Sequence, residues 1–97
     1  EKLDPSWFGL PILINKKFLK KKKAYLSHLY KNGIETRPII SGNFLNQPSI
    51  NLYKLNSKKE LFKGAQEIEK RGFFIGIHVE NIKNKQLDLL EKNLLNI

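Results

Sequence analysis

The order of segments in this 97-residue chain predicts an α+β fold, a two-layer sandwich in which a small, mostly antiparallel sheet of about three strands carries helices on one face. Three observations predict it. Short apolar, β-branched or aromatic runs at residues 7–14, 34–40 and 73–79 read as strands. Segments at 16–32, 57–71 and from about 84 onward repeat apolar residues at helical spacing. The two kinds alternate with no repeat, low-complexity tract or linker between them, so the chain makes one domain, 1–97, with a modest core.

The first run, Trp7 to Ile14, is bounded by Pro5 and Asn15, and Pro11 inside it points to an edge strand or a bulge because proline has no N–H for a ladder. Asn15 can cap the following helix, whose apolar positions are Phe18, Leu19, Tyr25, Leu26, Leu29 and Tyr30, with Gly33 as a left-handed stop after Asn32. Lys16 and Lys17 at the positive end of that helix carry a weak local penalty. Ile34 to Ile40 is a second strand cut by Pro38, and a loop then runs through Gly42, Asn43 and Pro48 to about Asn56. Ser57-Lys58-Lys59-Glu60 matches a capping box, Leu61, Ala65 and Ile68 form one apolar face, and Gly72 supplies the stop. Phe73 to Val79 is the strongest strand, and Leu87, Leu90, Leu94 and Ile97 mark the last helix. In this layout the strand residues turned away from the helices leave an apolar surface too large for a monomer, which predicts contact with another domain or subunit.

The net charge of +9 invites a nucleic-acid partner. The placement of the lysines argues against one: Lys16, Lys17 and Lys20 to Lys23 crowd one helix while the others are scattered, no aromatic residues alternate with the cluster, and no nucleic-acid-binding signature occurs. A solvated helix face and a general compositional bias account for the charge, leaving a stand-alone basic binding module without catalytic activity as the alternative function. There is no cysteine, which excludes disulfides, thiolate metal sites and cysteine nucleophiles. No apolar run reaches the roughly 20 residues of a membrane span and no signal peptide is recognisable, so a soluble, cytoplasmic protein is expected. The start at Glu1 suggests a boundary or processing event just upstream.

Gly33 to Pro48 packs Glu35, Arg37, Asn43, Asn46 and Gln47 between two glycines and two prolines without any apolar rhythm. It reads either as a recognition site or as a connecting loop. Glu35 and Arg37, two apart in a strand, project to one face and can form an ion pair or a joint polar clamp. Arg37 is one of two arginines in a lysine-dominated chain, which suggests planar contact with a carboxylate or phosphate, while the helix dipole explains Arg71. His28 reads as an ordinary helical histidine, and His78 as either a site residue or a strand-end histidine bonded to backbone. Two histidines without carboxylates at ligand spacing make no metal site, and neither a nucleophile elbow nor a phosphate-cradling loop is present.

Ser6-Trp7-Phe8-Gly9-Leu10-Pro11, Gly33-Ile34-Glu35-Thr36-Arg37, Gly42-Asn43 with Gln47-Pro48, and Phe73-Phe74-Ile75-Gly76-Ile77-His78 occur in this order over nearly the whole chain. Together they resemble the C-terminal small domain of the DegT/DnrJ/EryC1/StrS family, the pyridoxal-phosphate-dependent sugar aminotransferases, and within it the nucleotide-sugar 3-dehydrase branch of lipopolysaccharide deoxysugar biosynthesis. The resemblance implies an upstream large domain that holds pyridoxal or pyridoxamine phosphate and the catalytic lysine or histidine, a homodimer, and glutamate and a nucleotide-linked 4-keto-6-deoxy sugar as substrates. No lysine here takes the Schiff-base role, no cofactor is expected on this domain alone, and transamination and loss of the C3 hydroxyl both stay open. By the same resemblance Arg37 and Asn43 bind anionic or hydroxyl groups of a substrate, with Glu35, Gln47 and His78 lining the pocket.

Overall fold

The computed structural model describes residues 2–54 and 58–97. Its centre is a three-stranded antiparallel sheet of β1 (Gly9–Leu13), β2 (Thr36–Arg37) and β3 (Gly72–Gly76), in the order β1-β3-β2. The helices are α1 (Lys22–Lys31), the short α2 (Ser49–Leu52), α3 (Lys63–Arg71) and α4 (Asn84–Leu95). The predicted α+β class and antiparallel sheet are what the structure shows.

Pro11 sits opposite Phe74 on β1, which pairs only with β3, so the strand with the proline is an edge as its missing N–H requires. The sheet residues segregate by parity. Leu10, Ile12, Phe73, Ile75 and Thr36 share one face; Gly9, Pro11, Leu13, Phe74 and Arg37 share the other. The first face carries the core, where Phe73 and Ile75 meet Tyr25 and Leu29 of α1 together with Ile14, and Leu90 and Leu94 of α4 pack against them. Tyr25 stacks edge-on against Phe73, with ring centroids 6.1 Å apart, and its hydroxyl donates to the Leu94 carbonyl at 2.7 Å. Burial raises the pKa of that phenol, which keeps it a donor. Tyr25→Phe is expected to cost about 1–2 kcal/mol by orphaning the Leu94 carbonyl, read as a lower urea midpoint with an unchanged slope.

Several expected boundaries shift. The helix expected at 16–32 opens as a 3-10 segment, Lys16–Lys21, before α1, although Asn15 does cap it: Oδ1 accepts from the Lys17 N–H at 3.1 Å. Gly33, at φ +77°, ends α1 as expected, with Gly33 N–H bonded to the Tyr30 carbonyl and Ile34 N–H to that of Leu29, the paired bonds of a Schellman stop. The strand expected at 34–40 shrinks to two residues because Pro38 cannot continue the ladder. The expected loop after it contains a 3-10 turn, Phe44–Asn46, and α2. The capping box at Ser57 lies outside the described residues.

Gly72 stops α3 in an extended conformation, φ −81° and ψ 150°, rather than a left-handed one. Arg71 does more than complement the helix dipole. Its Nε donates to the Ile14 carbonyl at 2.7 Å and its Nη1 to Glu67 at 2.7 Å, and that hydrogen bond is the leading cause holding the Glu67 carboxyl below its usual range. Lys22 likewise departs from the solvated lysine face: Nζ donates to the Lys70 and Gly72 carbonyls at 2.8 and 3.1 Å, and burial lowers its pKa.

The chain is spread for its size. Its Cα radius of gyration is 16.3 Å, against roughly 12–13 Å for a compact domain of this length. Its accessible surface is 8602 Å², where a compact monomer of this mass exposes roughly 5,700 Å². Part of the surplus is apolar: Leu13 on the second sheet face and Ile40 in the loop after β2 are exposed, as is Phe8, whose ring stacks edge-on against Phe74 with centroids 5.7 Å apart.

Candidate functional site

The end of the Schellman turn leads through Glu35 into β2, whose register sets Thr36 against Ile75 and Arg37 against Phe74. The chain leaving β3 keeps one further pairing, from Ile77 N–H to the Phe8 carbonyl, and then reaches His78. These two approaches and α4 bound an open groove of about 690 Å³, within the size range of small-ligand sites. Its polar groups are Glu35, Arg37, His78, Asn32 and Gln86, set among Phe8, Ile40, Phe74, Ile77 and Leu89.

Glu35 and Arg37 form the ion pair that their spacing allows. Arg37 Nε and Nη2 both donate to one carboxylate oxygen, Glu35 Oε1, at 2.9 and 2.6 Å. Both side chains are about two-thirds exposed, 66% for Arg37 and 69% for Glu35, so salt screens the pair and it stays open to a ligand.

The structure brings together three of the five residues expected at the site, Glu35, Arg37 and His78, and places Asn43 and Gln47 elsewhere. Asn43 is 1% exposed, and its Oδ1 caps the Phe44–Asn46 turn by accepting from Leu45 N–H at 3.1 Å. Its Nδ2 has no partner among the described residues. Gln47 Nε2 donates to the Ser41 carbonyl at 3.2 Å, closing the loop on itself. The loop is clamped to α3 by Asn46, which donates to the Glu69 carboxylate, and by Gly42, at φ +65°, where a Cβ would come within 2.9 Å of Glu69 Oε1.

Sequence reasoning did not single out Gln86 or Ile40. Gln86 had a signal, since it stands three residues after Lys83, and its Oε1 accepts the Lys83 N–H at 3.1 Å in the manner of an N3 capping residue. Ile40, 85% exposed on a loop, had none. Among the described residues no cluster of histidine and carboxylate side chains could hold a metal ion, and no helix is long and apolar enough to cross a membrane.

No family model and no solved structure matches the chain significantly. Among curated proteins it is similar to the GDP-4-keto-6-deoxy-D-mannose 3-dehydratase of Yersinia pseudotuberculosis, 34% identical over 97 residues that take in 97% of this chain and 23% of the relative. The protein of the same name from Escherichia coli O55:H7 is 33% identical over 75 residues, 77% of this chain and 19% of the relative. Lipopolysaccharide biosynthesis protein RfbH of Salmonella typhimurium is 33% identical over 78 residues, 80% of this chain and 18% of the relative. The chain thus spans about a fifth of the length of the curated relatives it matches. Across nearly its whole length it is homologous to one segment of the nucleotide-sugar 3-dehydratase branch that its own motifs resemble.

Proposed function

We propose that the chain is the C-terminal small domain of a pyridoxal-phosphate-dependent enzyme that removes the C3 hydroxyl from a nucleotide-linked 4-keto-6-deoxy sugar in lipopolysaccharide deoxysugar biosynthesis. The observation that carries this is the 34% identity spanning 97% of the chain to a named 3-dehydratase. The three relatives favour this reading over the stand-alone basic module, and the two named as 3-dehydratases favour dehydration over transamination. The surplus of exposed surface, with Phe8, Leu13 and Ile40 in it, supports an upstream large domain and a homodimeric partner as its cover.

The groove does not by itself fit the cofactor. The resemblance places the cofactor on the upstream large domain, and no lysine lines the groove to hold it here. This domain's part is binding. Arg37 holds a carboxylate or phosphate oxygen of glutamate or the sugar nucleotide, His78 supplies a second hydrogen-bonding group, and the apolar wall of Phe8, Phe74 and Ile77 excludes water from the far side. Asn43 and Gln47 act on the same substrates by shaping the loop that carries Ile40 into the groove.

The test is Arg37→Ala in the full-length enzyme. Loss of a charge-assisted contact is expected to lower kcat/KM about 10–100-fold while the cofactor's absorbance stays intact. Unchanged turnover would remove Arg37 from the site.

A further inference from the structure

The two bonds from Arg37 converge on a single oxygen, and this arrangement leaves two groups unspent. Glu35 Oε1 takes the Nε–Nη2 edge of the guanidinium at 2.9 and 2.6 Å. Arg37 Nη1 makes no hydrogen bond to a described residue, so the Nη1–Nη2 edge keeps the parallel N–H pair that a planar oxyanion needs. Glu35 Oε2, the other half of the same carboxylate, likewise makes no hydrogen bond to a described residue and, fixed to the carbon that carries Oε1, remains an acceptor in the neighbourhood of the guanidinium. The pair therefore offers a donor fork next to a negatively charged acceptor, with close to zero net charge between them.

The geometry points to Glu35 as the specificity-determining residue of the groove. It orients Arg37 edge-on and selects a singly charged carboxylate flanked by an ammonium or hydroxyl donor, as in an α-amino acid or hydroxy acid, over a bare dianion such as phosphate. A carboxylate with a neighbouring donor satisfies both halves of the pair, the anion on the Nη1–Nη2 edge and the donor on Oε2. A dianion satisfies only the fork and is repelled by the carboxylate beside it, a repulsion that salt screens because both side chains are largely exposed. This rests on the reading of the groove as a substrate site and adds which substrate group Arg37 takes.

The experiment uses the full-length holoenzyme with Glu35→Gln, Arg37→Ala and the double variant. The KM for L-glutamate and the inhibition constant for inorganic phosphate are measured above the second ionisation of phosphate, at low and high ionic strength. Glu35→Gln, nearly isosteric at an exposed position, is expected to tighten phosphate inhibition about 3–10-fold and to raise the glutamate KM by a similar factor at low salt. The phosphate gain fades as salt screens the site and vanishes in the double variant, because it acts through Arg37. A ratio of the two constants that stays within about twofold in Glu35→Gln overturns the proposal, as does a phosphate gain that survives loss of Arg37. If Arg37→Ala alone moves neither constant, the substrate-site reading itself fails; if it moves them while Glu35→Gln does not, only the role of Glu35 fails.

Discussion

Phe73→Ala is expected to abolish the cooperative unfolding transition or to lower its free energy by about 3–5 kcal/mol. The ring is 1% exposed, lies on the core face of β3, and is touched from α1 through Tyr25. Among the described residues the buried apolar core is small, Phe73 with Ile14, Tyr25, Leu29 and Ile75, and the side chains packed against it, such as Leu90 and Leu94, are only partly buried. Domains of this size are stable by about 5–15 kcal/mol, and one with so small a core belongs at the lower end. Urea unfolding followed by far-ultraviolet circular dichroism would check this; a loss below about 1 kcal/mol would mean that the sheet and α1 do not meet as described.

Gly72→Ala is the second large effect, and its cause is contact rather than cavity. A Cβ on Gly72 would stand 2.4 Å from the Ile68 carbonyl oxygen and 2.7 Å from Ile39 Cδ1. The isoleucine can rotate away, but the carbonyl belongs to the last turn of α3 and moves only if the helix does. A cost of about 1–3 kcal/mol is expected. Gly64→Ala, in the first turn of the same helix with nothing within 4 Å of its Cβ position, should go the other way and stabilise by about 0.4–1 kcal/mol. Melting temperatures of the two variants measured together separate crowding from backbone entropy; equal effects of one sign would remove crowding as the explanation.

These residues also show what could be read in the sequence. Phe73 and Ile75 were legible as core because strand periodicity puts them on one face, and Gly33 as a stop because only a left-handed residue ends a helix that way. Pro11 left an edge strand or a bulge, and the structure makes it an edge; the spacing of Glu35 and Arg37 allowed an ion pair or a joint clamp, and the structure pairs them. What was illegible depended on contacts between distant segments. Nothing local marks Lys22 among six clustered lysines as the one that reaches the Lys70 and Gly72 carbonyls, or assigns Arg71 to Ile14. Asn43 and Gln47 carried the polar signature of a binding loop, and the structure spends it on backbone bonds, since Asx and glutamine side chains compete equally well for both uses.

The Schellman stop at Gly33 has a consequence for how this protein can change. Glu35 lies two residues beyond that turn, and the alternation of β2 carries Arg37 to the sheet face opposite Ile75 and Thr36. One inserted or deleted residue in that connector would invert the alternation, turning the guanidinium toward the packed interior and a β-branched residue outward. Substitutions along the segment can tune what the groove accepts, but its length has no such freedom.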